Sequence, residues 1–308
     1  MAEITATLVK DLRTKTGAGM MDCKKALSET DGDIDAAVDW LRQKGLSQAA
    51  KKASREAAEG LVGVAVADGI GAVVEVNSET DFVARNEDFQ KFVGTVADLA
   101  VKMRGDAAAL ASADYPGSGR TVGDELTHMV ATIGENMRIR RAGAVSASPG
   151  VISSYVHNAA APGLGRIGVV VALQSSGDQA KLEEAGKQLA MHIAAAKPRA
   201  VTAKELDPDF IAQERKILTA QAEESGRPPE IIQKMVEGRL RKLFEDVVLM
   251  DQVWVIDGET RVSKVLEQLA KDAGAPVEVA GFVRYGLGEG LERKEADFAA
   301  EVAAAAGN

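Results

Sequence analysis

The chain has 308 residues, a formal net charge of −9 and 46 % hydrophobic residues, the balance of a soluble globular protein long enough for about two domains. No apolar run reaches the roughly 20 residues of a membrane helix. The opening MAEITATLVKDLR has no secretory-signal pattern, and the single cysteine, Cys23, excludes an internal disulfide framework and fits a reducing, cytoplasmic setting.

Residues 1–45 predict three short helices. Ile4, Leu8, Val9 and Leu12 recur at helical spacing, and Gly17 and Gly19 stop that helix. Asp22 is placed to cap a second helix carrying Ala26 and Leu27. Asp33 is placed to cap a third, with Ile34, Ala37, Val38 and Leu41 on one face and Gly45 behind it. Such a bundle is similar to ubiquitin-associated (UBA-like) modules, whose small cores serve binding. Residues 46–59 read as a helical or flexible connector, with Lys51, Lys52 and Arg55 on a solvated face.

At Leu61 the period changes to two. LVGVAVADGIGAVVEV alternates around a Gly-containing turn and reads as a β-hairpin. NSETDFVARN follows, then a helix from about Asp88 to Met103, and a Gly- and Pro-containing loop over 104–120. A further helix starts at Thr121 or Asp124 and runs to about Ile133, and MRIRRAGAVSA alternates as a strand. These elements form one α+β unit over residues 60–148. A second unit covers 149–206 and 246–290. In it VISSYVHN and RIGVVVALQ pair as strands, and DQAKLEEAGKQLAMHIAAAK is a helix stopped by Pro198. The order strand, strand, helix thus occurs twice, a sign of internal duplication.

Residues 207–245 hold two amphipathic helices separated by Gly226-Arg227-Pro228-Pro229. They predict an antiparallel helical hairpin that either folds back or protrudes as an arm that binds or dimerises. Strand signals at QVWVI and VEVAGFVRYGL flank a helix from Val262 to Ala273. A C-terminal module over 291–308 ends in the helix RKEADFAAEVAAA, with Phe298 and Val302 on one face.

No phosphate loop of the GxxxxGK[ST] kind, no HExxH and no GxSxG occurs. The GxGxxG at residues 163–168 precedes a strand instead of opening a helix, so it reads as a strand-entry turn and not as a dinucleotide site. His128, His157 and His192 are far apart in sequence and read as surface or packing histidines. Cys23 reads as a small helical residue, and no carboxylate pair stands out. No catalytic residue, metal or cofactor is expected.

Two segments are specific: LRTKTGAGMMDCKKAL, residues 12–27, and EVNSETDFVARN, residues 75–86. With IGENMRIRR, MHIAAAKP, KMVEGRL and DFAAEVAA they run in one order from start to finish. Together they resemble the elongation factor Ts family, guanine-nucleotide exchange factors for elongation factor Tu. The resemblance implies an α+β fold with an N-terminal UBA-like three-helix module, a core of two related α+β subdomains with antiparallel sheets, a helical hairpin arm and a C-terminal helical module. It also implies self-association through the hairpin in some members; the net charge of −9 argues against a nucleic-acid partner, and no membrane partner is expected.

An exchange factor needs no bond-breaking groups, which agrees with the empty catalytic search. The resemblance implies that Thr80, Asp81, Phe82 and Val83 dock on the GTPase domain of elongation factor Tu beside its Mg²⁺ site. There Phe82 wedges into the partner and Asp81 anchors the turn. Local sequence alone also allows a plain strand-to-helix junction, with Thr80 or Asp81 as N-cap and Phe82 as a buried staple. Arg13, Met20 and Met21 are the implied contacts of the N-terminal module; the alternative packs Met20 into the bundle core and leaves Arg13 solvated. Ile133, His157 and Phe298 are further carry-overs, with core Ile, surface His and a packed-down helix as their alternatives. A different class of function is a ribosome- or RNA-associated scaffold, supported by Arg138, Arg140, Arg141, Lys51, Lys52, Arg239, Arg241 and Lys242. A third is a degenerate enzyme with a small-molecule pocket in the α+β core.

Overall fold

The computed structural model describes residues 4–291. The C-terminal module expected over 291–308, with Phe298, lies outside the described residues but for Leu291. The fold is α+β with antiparallel sheets, and three helices come first: α1 (Ala6–Thr16), α2 (Met20–Glu29) and α3 (Ile34–Lys52). Each start has a local cause. The Thr5 hydroxyl accepts the Leu8 N–H at 3.3 Å, and Asp33 accepts the Ala36 N–H at 2.9 Å. Gly17 ends α1 in the left-handed region at φ 68°. Leu12, Cys23, Ala26, Leu27 and Ala37 are fully buried between the three helices.

Two expectations fail here. Gly19, not Asp22, is the N-cap of α2; Asp22 sits in the first turn and pairs with Lys44. Gly45 does not end α3, which runs on to Lys52. A Cβ built on Gly45 would lie 3.4 Å from the Cβ of Ala131. The missing side chain therefore serves a close helix approach instead of a stop.

The hairpin follows as β1 (Glu59–Ala67) and β2 (Ile70–Ser78), turned by Asp68 and Gly69 at φ 52° and 69°. Two consecutive positive φ values match the right-handed strand twist, so this Asp-Gly pair is a favoured hairpin turn. Then come α4 (Glu87–Lys102), α5 (Ala107–Ser112), β3 (Asp114–Tyr115), β4 (Arg120–Thr121), α6 (Val122–Ile133) and β5 (Met137–Ser146). The expected loop over 104–120 thus contains a short helix and most of a two-stranded ribbon. The helix is capped by Asp106, which accepts the N–H groups of Ala108 and Ala109. Thr121 caps α6 by accepting the Asp124 N–H at 3.1 Å.

The chain continues with β6 (Gly150–His157), β7 (Leu164–Gly165), β8 (Ile167–Gln174) and α7 (Gln179–Ala196). The hairpin helices α8 (Pro208–Glu223) and α9 (Pro229–Val247) come next, then α10 (Val262–Ala273) and β9 (Glu278–Gly286). One sheet has the order β5-β2-β1-β7 and the other β6-β8-β9, all antiparallel. The QVWVI stretch is not a strand. Val253 makes one isolated bridge to Arg261, and Asp257 accepts the N–H groups of Glu259 and Thr260 to form a turn.

The two sheets pack face to face through Val62, Val73 and Val170. Gly71 and Gly168 permit that approach: a Cβ on either would come within 2.6 Å of a side chain of the opposite sheet. Outward, α4 lays Phe89, Phe92 and Val96 on Val74 and Val76. On the other side α7 and α10 lay Leu182, Ile193 and Leu266 on Val169, Val171 and Leu173. β2 is therefore covered on both faces, which is why it does not alternate cleanly between apolar and polar residues. The hairpin α8/α9 packs through Ala222, Val236 and Leu240 and is laced by an Arg215–Glu237 pair at 2.5 Å. Among the described residues no helix is long and apolar enough to cross a membrane.

Candidate functional site: the turn after the first hairpin

Strand β2 delivers the chain to a tight junction over residues 78–86. Val83 is buried and starts a single 3-10 turn, Val83–Arg85. Asn86 caps α4, its side chain accepting the Phe89 N–H at 3.0 Å. Neither Thr80 nor Asp81 caps a helix. Phe82 is 75 % exposed, so the buried-staple alternative fails. The cap and the apolar anchor are supplied by Asn86 and Val83 instead, which leaves the Phe82 ring unused by the fold.

The ion pair at Asp81 and the carboxylate contact at Thr80 differ in magnitude. Arg85 and Asp81 approach to 3.9 Å, but both are well exposed, so the pair contributes at most about 1 kcal/mol. Thr80 donates both its N–H and its hydroxyl to the Glu135 carboxylate, at 3.0 and 2.6 Å. Hydrogen bonds to a charged acceptor contribute about 1.5–3 kcal/mol each. The Glu135 contact therefore dominates. Ile133, two residues earlier, is half-buried against the core cluster that also contains Val83. The structure thus brings Thr80 and the end of α6 together.

The N-terminal module displays its pair separately. Met20 and Met21 open α2 at 60 % and 74 % exposure, and Arg13 is exposed on α1. Met20 is not part of the bundle core. His157 is exposed at the end of β6, its Nδ1 3.1 Å from the Tyr155 hydroxyl. Among the described residues no hydrogen bond or ion pair joins Arg13, Met20, Met21 or His157 to the Phe82 turn. Sequence reasoning passed over Glu79 and Glu135, although both lie inside the quoted motifs EVNSETDFVARN and IGENMRIRR. Glu135 bonds Thr80 and Glu79 bonds Asn136, each across more than 50 residues of chain, so neither leaves a local signal.

The basic cluster has another task. Arg140 and Arg141 both hold the fully buried Glu75, at 3.0 and 2.6 Å, and Arg138 reaches the Ala57 carbonyl. Burial would push the Glu75 carboxyl up. Hydrogen bonds from the Gly288 N–H, Asn77 and Arg140, with the charge of Arg141, outweigh burial and hold it below its ordinary value.

Other titratable groups read as structural. Burial raises the Cys23 thiol, which contacts Thr16 and the Ala18 carbonyl inside the bundle. His192 is buried, stacks on Trp254 at 5.1 Å and bonds Gln252 at 3.0 Å. Among the described residues no group of three or more His, Cys, Asp or Glu could hold a metal ion. A cleft of about 470 Å³ lies between the N-terminal helices and α6, outside the paired sheets. Most of its charged lining is engaged, in Lys15–Asp35, Arg42–Asp124, Lys44–Asp22 and Arg120–Glu125 pairs.

Comparison with known proteins agrees with this architecture. The family model described as Elongation factor TS matches residues 79–289. The chain is 62 % identical over 307 residues to elongation factor Ts of Rhodospirillum centenum, covering 100 % of both chains. It is 62 % identical to that of Rhodospirillum rubrum, covering 99 % of each, and 59 % identical to that of Paramagnetospirillum magneticum, covering 100 % of this chain and 98 % of the relative. With likeness at that level from end to end, the chain belongs to the elongation factor Ts family, proteins of translation elongation.

Proposed function

We infer that this chain binds elongation factor Tu and accelerates release of its GDP, acting in the cytoplasm by protein–protein contact with no bond-making step of its own. Phe82 enters the GTPase domain beside the Mg²⁺ site and displaces the elements that hold the metal. Loss of the metal removes compensation for the diphosphate charge, and GDP leaves. Met20, Met21 and Arg13 add a second contact, a flexible apolar pair with a charge beside it. Ile133 and His157 extend the first, His157 toward the partner's third domain.

One observation carries this reading: a large apolar ring, 75 % exposed, on a turn whose neighbours Thr80 and Val83 are both held. Most exposed side chains on a fixed turn are polar; an aromatic one offers area and shape to a partner. Arg140 and Arg141, two of the basic residues behind the RNA-scaffold reading, are engaged with Glu75 instead.

Exchange of this kind is a coupling between two ligands of one partner, and coupling is reciprocal. If the chain weakens GDP binding by some factor, GDP must weaken the complex by the same factor. Titrating nucleotide-free and GDP-bound elongation factor Tu with this chain measures one side of the cycle, and GDP affinity with and without the chain measures the other. Equal factors well above one are expected. Equal affinity for both forms of the partner overturns the proposal.

A further inference from the structure

Two acidic residues close a reciprocal clasp at the base of the Phe82 turn. Glu135 follows Gly134, the left-handed residue that ends α6 at φ 92°. It takes the Thr80 N–H on Oε2 and the Thr80 hydroxyl on Oε1. In return Glu79 takes the Asn136 N–H on Oε1 at 2.5 Å. Each segment thus lends a carboxylate to the backbone of the other. The Ser78 hydroxyl donates to the Thr80 carbonyl at 2.9 Å, so the N–H, hydroxyl and carbonyl of Thr80 are all engaged. A third stretch of chain joins in. Arg55 Nη1 reaches Glu79 at 3.4 Å, and the Arg55 carbonyl accepts from Asn136 Nδ2 at 2.7 Å.

On the far side of the turn Val83 is buried, and the Phe82 carbonyl accepts the Arg85 N–H at 3.1 Å. Phe82 therefore stands between a fixed point two residues behind and another one residue ahead, with its ring in solvent. The start of α4 does not require this clasp. Asn86 already caps that helix and Val83 already anchors the junction. A segment held this way enters a complex with little backbone freedom left to lose, which is the physical content of pre-organisation.

We propose that Glu135 is a positioning residue for nucleotide exchange: through Thr80 its carboxylate sets how Phe82 meets the partner, and it joins the Phe82 turn and the Ile133 end of α6 into one preassembled contact. This deepens the Phe82 reading above and rests on it. The recognised surface is apolar and aromatic, presented by a polar clasp that never needs to touch the partner.

The test is GDP release from elongation factor Tu at saturating concentrations of wild type, Glu135→Ala, Phe82→Ala and the double variant, each checked for folding by circular dichroism. Glu135→Ala is expected to slow release about fivefold to tenfold, the size of coupling found between neighbouring residues. In the Phe82→Ala background the same change is expected to do nothing more. Glu135→Gln, which keeps an acceptor for one Thr80 donor, should recover part of the rate. A merely structural role would slow release by the same factor in both backgrounds, and that result overturns the proposal. Thr80→Val removes only the hydroxyl and should show the same pattern at smaller size, which covers the case in which Glu135→Ala does not fold. If Phe82→Ala matches wild type, the Phe82 reading itself fails. If Phe82→Ala is slow while folded Glu135→Ala matches wild type, only the positioning role fails.

Discussion

Arg140 is the extra residue of a β-bulge, and the bulge turns it onto the carboxylate that its neighbour Arg141 also holds. Arg141 lies opposite Glu75 across the β2–β5 ladder, while the next residue, Val76, lies opposite Ile139. Successive residues of a regular strand point to opposite faces, so without the bulge only one of the two arginines could reach Glu75. The same cluster ties down the end of β9. Arg141 donates to the Gly286 carbonyl at 3.0 Å, Arg140 to that of Glu289 at 2.6 Å, and the Gly288 N–H donates to Glu75 at 2.8 Å.

Removing Glu75 leaves two arginine charges partly buried without their counter-ion. Glu75→Ala should therefore cost about 3–5 kcal/mol, read from urea denaturation. The sign of the pH effect follows from the direction of the shift. The folded carboxyl sits below its ordinary value of 4.5, so its stabilisation is complete above that value and is lost as pH falls through the folded one. Acidification should lower the melting temperature of wild type more than that of Glu75→Gln. Equal losses would show that Glu75 contributes nothing to acid sensitivity.

His192 predicts a second pH window. Its Nε2–H donates to Gln252 Oε1, and its Nδ1 accepts the Val255 N–H at 3.3 Å, so both ring nitrogens are engaged by the neutral form. Burial lowers its pKa below the ordinary 6.5, against the opposing Gln252 bond. For a histidine held low, stability is complete above 6.5 and declines as pH falls toward the folded value. His128, lowered by burial and then by Arg120, against an opposing Glu125, adds in the same direction. His192→Gln should flatten the fall in melting temperature just below 6.5, leaving the part owed to His128. An unchanged slope would contradict this.

Met20→Ala with Met21→Ala should leave the melting temperature within about 0.5 kcal/mol equivalent of wild type, because both side chains are exposed. Affinity for elongation factor Tu should drop by about 1 kcal/mol or more, and unchanged affinity would contradict the contact role. Isothermal titration reads both the loss and its absence.

Local signals carried most of the element order. Asp33 caps its helix as expected, Thr121 is the cap of the two candidates Thr121 and Asp124, and the expected Gly-containing turn falls at Asp68-Gly69, each acting within a few residues of itself. Two of the misreadings, at Gly45 and at QVWVI, arise from partners far along the chain, whereas those at Asp22 and over 104–120 are local. Gly45 is a helix stop in sequence terms but meets Ala131 in space. QVWVI alternates like a strand, yet Trp254 is buried against His192 and the chain turns at Asp257 while Val253, Val255 and Ile256 remain exposed. At the candidate site, the motif pointed to Phe82 while local capping rules allowed it to be buried. That Asn86 and Val83 leave the ring in solvent, and that Glu135 holds Thr80, are facts of tertiary packing.

Phe82→Ala removes an exposed ring and should leave folding stability within about 0.5 kcal/mol of wild type. The variant should still bind elongation factor Tu through the N-terminal module.

The most direct measurement is the rate of fluorescent GDP release from purified elongation factor Tu, alone, with wild type and with Phe82→Ala at saturation. Strong acceleration by wild type and a much smaller one by Phe82→Ala is the predicted result. No acceleration by wild type, or equal acceleration by the folded variant, would contradict it.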